Sequence, residues 1–144
     1  MTEERLNLEK QVLASKLPSN AYVFKDMDTP HPKLLMAART NRGNIYTIKI
    51  ELDNYPNSMP EVYVTKMLKD KDGNNLDSAS ASMHCWGAKD NCTHICHGWR
   101  DGWSNMNSLF KVYVKSRLWL EMYDLHLQTG NSIDYYLKHQ ATVN

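Results

Sequence analysis

Histidines and cysteines crowd the segment His84-Cys85…Cys92-Thr93-His94-Ile95-Cys96-His97. These side chains support two chemistries. A cysteine thiolate is a strong nucleophile, and nearby imidazoles with partial exposure favour that form. Cysteine and histidine also ligate zinc, commonly four to an ion and paired two to four residues apart. Cys92 with Cys96 and His94 with His97 fall in that window, with His84 or Cys85 as distant partners. The spacing matches no finger or ribbon pattern, and adjacent residues such as His84 and Cys85 rarely both hold one ion. A third reading has no chemistry: incidental loop histidines above small apolar cysteines. The residues of this segment leave all three open.

The elements that must position it are readable on both sides. Residues 2–17 have the pattern of a helix: Thr2 can cap it, Glu3 and Glu4 suit its positive end, and Leu6, Leu13 and Leu17 recur near helical spacing. Pro18 stops it, because the residue before a proline is steered out of the α region. Strands are predicted at 22–24, 34–38, 45–52 and 62–64, with a hairpin turn at Asn41-Arg42-Gly43-Asn44. The best of them alternates Ile48, Ile50 and Leu52 onto one face. Residues 69–82 are polar, and residues 83–102 read as an irregular loop. A long helix follows over 108–128, with Leu109, Val112, Tyr113, Ser116, Leu120, Tyr123 and Leu127 on one face and Gly130 just beyond its end. Ser132 can cap a last short helix. The layout is α+β, one domain over residues 1–144: a helix, a four-stranded antiparallel meander, a loop and a long C-terminal helix.

Bulk properties narrow the function. The 144 residues are 42% hydrophobic and 23% charged, an ordinary globular composition. With 17 basic and 16 acidic side chains there is no basic stripe, so nucleic acid is not an expected partner. No apolar run reaches the roughly 18–20 residues of a membrane span, and the charged start lacks a signal-peptide core, so the expected location is the cytoplasm. Three cysteines in a reducing compartment argue against a disulfide framework, although Cys92 and Cys96 are a candidate regulatory pair.

Flanking motifs decide among the readings. Tyr55-Pro56-Asn57-Ser58-Met59-Pro60-Glu61-Val62 is a proline-bounded turn feeding a strand; Ile95-Cys96 follows, and then Trp103-Ser104. Their order resembles that of the ubiquitin-conjugating-enzyme family, with its Tyr-Pro…Pro-Pro turn, Ile-Cys-Leu active site and Trp-Ser-Pro turn. Met59, His97 and Asn105 stand where that family has proline, leucine and proline. Leu118-Trp119-Leu120, Tyr123-Asp124, Leu127 and Thr129-Gly130 resemble a bacterial branch found in antiphage defence operons, some of them with a cGAS-like nucleotidyltransferase in cyclic-oligonucleotide signalling (CBASS).

The resemblance implies a ubiquitin-conjugating fold and a catalytic Cys96 that accepts a protein's C-terminus as a thioester and passes it to an amine. The transferred protein would be the cGAS-like nucleotidyltransferase or a ubiquitin-like protein, loaded by a separate activating enzyme or by another route. The conjugating enzyme itself would need no cofactor or metal. His84 stands near the place of the family's His-Pro-Asn histidine, followed by Cys85-Trp86 rather than Pro-Asn, so the oxyanion donor is unassigned. Asn91, Thr93 and His94 are candidates for it, His84 is a loop-ordering or polar active-site residue, and Asp101 is a candidate for orienting or deprotonating the amine. Trp103, Tyr55 and Pro56 read as scaffold, Trp99 as either tail contact or loop packing, and His126 has no assigned role. The competing classes are an inactive binding module of the same fold and a small zinc-stabilised domain.

Overall fold

The computed structural model describes residues 1–98 and 102–143, the last four of them by backbone alone. Thr2 accepts the Arg5 N–H at 3.1 Å and opens helix α1 (Glu3–Lys16), with Glu3 and Glu4 in its first turn. Leu17 is already extended before Pro18, and a short 3-10 turn (Ser19–Ala21) leads into the sheet.

Four strands run as an antiparallel meander: β1 (Tyr22–Lys25), β2 (Lys33–Arg39), β3 (Ile45–Glu51) and β4 (Val62–Val64). Side-chain alternation sets the register, because a slip of one residue would turn every apolar side chain to solvent. Leu34 opposes Ile50, Met36 opposes Ile48 and Ala38 opposes Tyr46, and all six are buried.

The sheet continues past the meander. β5 (Ser78–Ser80), β6 (Cys85–Lys89) and β7 (Cys92–Ile95) are added in the order β1-β2-β3-β4-β7-β6-β5, with every neighbour antiparallel. Val62 opposes Ile95 and Val64 opposes Thr93, so β7 joins the meander directly. A seven-stranded sheet replaces the expected four-stranded ubiquitin-conjugating fold, and two of the added strands occupy the stretch expected to be an irregular loop. These strands are short, and Ser, Ala, Gly and Lys have little strand propensity; pairing to β4 supplies what the local sequence does not.

Helix α2 (Leu109–Thr129) is capped by Ser108, which accepts the Lys111 N–H at 3.1 Å, and ends at Gly130 with φ 83°, a left-handed cap that glycine adopts without strain. It packs against α1, β2 and α3 (Ile133–Val143) and brings fully buried Leu109, Trp119 and Leu120 to the core. Glu9 of α1 locks this arrangement. Its buried carboxylate accepts the Tyr55 hydroxyl at 2.8 Å, the Arg5 Nε–H at 3.1 Å and the Leu109 N–H at 2.8 Å. Among the described residues no helix is long and apolar enough to cross a membrane.

Candidate active site

Cys96 stands one residue beyond β7. Its N–H donates to the His84 carbonyl at 2.8 Å, extending the β6–β7 ladder past Ile95, which is buried in the core. The thiol is half-buried. Its placement therefore depends on how His84 is held.

His84 closes the turn before β6 with φ 46°, a left-handed conformation uncommon outside glycine and adopted most readily by asparagine, aspartate and histidine. Two helices hold it there. From α2, Trp119 Nε1–H lies 2.9 Å from the His84 carbonyl and 3.2 Å from the Met83 carbonyl. From α3, the Asp134 N–H donates to the Ser82 carbonyl at 2.9 Å, and Asp134 Oδ1 lies 3.0 Å from His84 Nε2. Lys138, one turn further along α3, reaches Asp134 Oδ2 at 2.9 Å. Lys138 first, then His84, holds the Asp134 carboxyl below the usual aspartate range.

His84, Asp134 and Cys96 open onto one pocket of about 410 Å³, walled by Ala79, Ser80, Ala81 and Trp86. The walls are small except for Trp86, which is largely exposed beside the opening. Cys85 also borders the pocket, but burial pushes its thiol up, so it is the less available nucleophile.

The other predicted site residues lie apart. Asn91 sits with Asp90 in the tight turn between β6 and β7, both in left-handed conformations (φ 59° and 52°). Five residues of extended chain put it roughly 16 Å from Cys96. Cys92 opens the same strand at that far end, beyond the roughly 7 Å Cα separation that a disulfide spans, so the expected pairing with Cys96 is not formed by this geometry. Thr93 is buried, donating to the Lys66 carbonyl and accepting the Leu68 N–H, both at 2.9 Å. His94 stacks on Tyr63 with ring centroids 4.4 Å apart, and His97 is buried with Nε2 2.8 Å from the Pro60 carbonyl. Burial lowers the pKa of both imidazoles and favours their neutral forms. Asp101, Trp99 and Arg100 lie outside the described residues.

Among the described residues no three His, Cys, Asp or Glu side chains converge on a point that could hold an ion. The scaffold residues also have explicit roles. Trp103 Nε1–H donates to the Pro56 carbonyl at 2.8 Å and its ring meets Tyr55 edge-on. His126 is structural: Nε2 accepts the Lys71 N–H at 3.1 Å and Nδ1–H donates to the Asn131 carbonyl at 2.8 Å.

Asp134 is the site residue that sequence reasoning missed. It lies fifty positions from His84 on a short terminal helix, and nothing in its neighbours distinguishes it from a solvated helix carboxylate. The Asp90-Asn91 turn was a readable signal, because such pairs favour the left-handed conformations of a two-residue hairpin.

No protein-family model, curated protein or solved structure matches this chain. The likeness to conjugating enzymes rests on the quoted motifs.

Proposed function

We propose that the protein is a cysteine-dependent acyl carrier: Cys96 accepts the C-terminal carboxyl of another protein as a thioester and transfers it to an amine. The observation that carries this reading is a half-buried thiol, fixed through its own N–H, opening onto a small-walled pocket shared with a histidine and a carboxylate. Transfer from an existing thioester asks little of the enzyme beyond position. The acyl group is already activated, so orientation and a few well-placed dipoles supply most of the acceleration. Walls of Ala79, Ser80 and Ala81 suit an extended tail ending in small residues such as glycine, and the exposed Trp86 offers such a tail an apolar face.

In this proposal the protein works in the cytoplasm of a bacterium, in antiphage defence. Its transferred partner is a cGAS-like nucleotidyltransferase or a ubiquitin-like protein, adenylated by a separate activating enzyme. The resemblance of Leu118-Trp119-Leu120, Tyr123-Asp124, Leu127 and Thr129-Gly130 to the bacterial branch supports that part.

The test is non-reducing intact-mass analysis of the protein co-expressed with its genomic neighbours, beside Cys96→Ser. A thiol-labile protein adduct on the wild type, replaced on the serine variant by a thiol-resistant, hydroxylamine-labile ester, identifies both the carrier and its cargo. Folded protein bearing no adduct on either, with the neighbours present, sinks the reading in favour of a binding module.

A further inference from the structure

Cys85 is the thiol that the proposed transfer leaves unused, and the fold sets it beside Cys96. It opposes Ile95 in the β6–β7 ladder, and the Cys96 N–H reaches the His84 carbonyl at 2.8 Å. Cys96 is therefore one diagonal step from Cys85. A strand spacing of about 4.8 Å and a rise of about 3.3 Å put their Cα atoms roughly 6 Å apart, within the roughly 4.4–6.8 Å that a disulfide spans.

In a regular ladder, diagonal neighbours project to opposite faces. This stretch is not regular. His84 is left-handed and the register shifts between Cys85 and Gly87, an irregularity of the kind that re-aims side chains. Both cysteines border the same pocket of about 410 Å³, which Cys92, at the far end of β7, does not line. Burial chiefly, and the charge of the Cys96 sulfur in addition, push the Cys85 thiol up, while the Gly87 and Ser80 N–H groups favour its thiolate. A charge felt at Cys85 lies close to it. In the reduced protein the Cys85 S–H rests on the Ser78 carbonyl at 3.5 Å, a weak bond that is readily given up.

We propose that Cys85 is the resolving thiol of Cys96: oxidation of Cys96 by a hydroperoxide ends in a Cys85–Cys96 disulfide that reversibly shuts the acyl-carrier site. The shutting rests on the acyl-carrier reading; the disulfide does not. The Cys96 thiolate attacks one peroxide oxygen, the O–O bond breaks, and hydroxide departs and is protonated to water, leaving a sulfenic acid. The Cys85 sulfur then attacks the Cys96 sulfur. The S–S bond forms, the S–O bond breaks, and the departing hydroxide leaves as water with the Cys85 proton. The two thiols together lose two electrons, and the peroxide gains them. Half-buried Cys96 meets the oxidant, whereas buried Cys85 needs to meet only Cys96. Without a second thiol the sulfenic acid climbs to sulfinic acid, which thiols do not reduce. In a reducing compartment such a disulfide is transient, as a regulatory one must be.

The experiment treats the intact, reduced protein with hydrogen peroxide, alkylates the remaining thiols and maps the peptides without reduction. The expected product links the Cys85 and Cys96 peptides, about 2 Da lighter than their sum, and carries the alkyl group on Cys92. Dithiothreitol should restore both thiols. In Cys85→Ala, peroxide should carry Cys96 to sulfinic acid, and the fraction that dithiothreitol recovers should fall roughly tenfold. Cys85→Ser repeats the comparison should alanine destabilise the fold, and the wild-type map decides the pairing by itself.

Linkage of Cys92 to Cys96 overturns the proposal. So does a wild-type Cys96 that peroxide leaves reduced, or one recovered no better than in the folded variant. A thioester of N-acetylglycine with mercaptoethanesulfonate separates this reading from the earlier one, since it should load Cys96 in the reduced protein and not in the oxidised one. Loading with no linkage refutes the switch alone. Linkage in a protein whose reduced form does not load refutes the acyl carrier and leaves the disulfide standing.

Discussion

The meander β1–β4 and the added strands β5–β7 belong to one sheet but are held by different forces. In the meander, the seven-residue strands β2 and β3 oppose each other along their full length, and their alternating buried faces form the core. In the added half the strands have three to five residues, and the turn that carries His84 is fixed from outside the sheet. Trp119 of α2 and Asp134 of α3 both hydrogen-bond to its carbonyls, and Thr93 ties β7 to the segment after β4. The first half is stabilised by apolar area, which is non-directional; in the second, beside the buried Met83, Cys85 and Ile95, directional hydrogen bonds fix the turn. Stability and thiol geometry therefore reside in separable parts of the molecule.

The largest expected effect tests the meander. Leu34→Ala removes a fully buried side chain and should cost about 2–5 kcal/mol in urea unfolding. In the protein that remains folded, iodoacetamide should label Cys96 at the wild-type rate, measured peptide by peptide. A change in that rate matching the loss of stability would erase the distinction between the halves.

Trp119→Phe comes next and tests the other half. It deletes the N–H that serves the Met83 and His84 carbonyls and keeps most of the ring stacked on Tyr123. About 1–3 kcal/mol of stability should be lost. Here the Cys96 labelling rate should change as well, because the carbonyl that holds the Cys96 N–H is released. An unchanged rate would show that the ladder alone fixes the thiol.

Acid should weaken the added half first. Burial holds His94 and His97 below the ordinary histidine value of 6.5. As pH falls below that value the unfolded chain binds protons that the native state resists, so stability declines until the native groups titrate too. Residue-resolved hydrogen exchange at pH 7.5 and 5.5 should show protection lost around β7 before β2 and β3. His97→Gln should shrink the effect, and uniform loss across the sheet would refute the assignment.

The smallest effect concerns Asp134. Lys138→Ala removes the main cause of its depressed carboxyl pKa, so its midpoint, followed by carbon NMR, should rise toward 3.8. The sign follows from the charge: the cation favours the carboxylate, so the pair's contribution persists above the ordinary aspartate value and is lost as pH falls through the native one. A midpoint that stays put would make His84 the controlling partner.

Much of the meander and of the helix ends was legible residue by residue. Thr2 caps α1, Pro18 follows its end, Ile48 and Ile50 line the core face of β3, and Gly130 closes α2, each from a local rule of capping, proline geometry or alternation. Cys96 was also picked out by its type and neighbours. The last three strands were not legible, because Ser78-Ala79-Ser80 and Cys85-Trp86-Gly87 lack the β-branched alternation that marks a strand on its own.

The sequence by itself determined where helices begin and end, which strands form the core and which thiol merits attention, since those depend on interactions within a few residues. Only the tertiary structure decided that β7 pairs with β4, that His84 is held in a left-handed turn, and that Asp134 meets its ring from fifty positions away. Those contacts join segments distant in sequence, and their energy exists only once helices α2 and α3 have packed against the sheet.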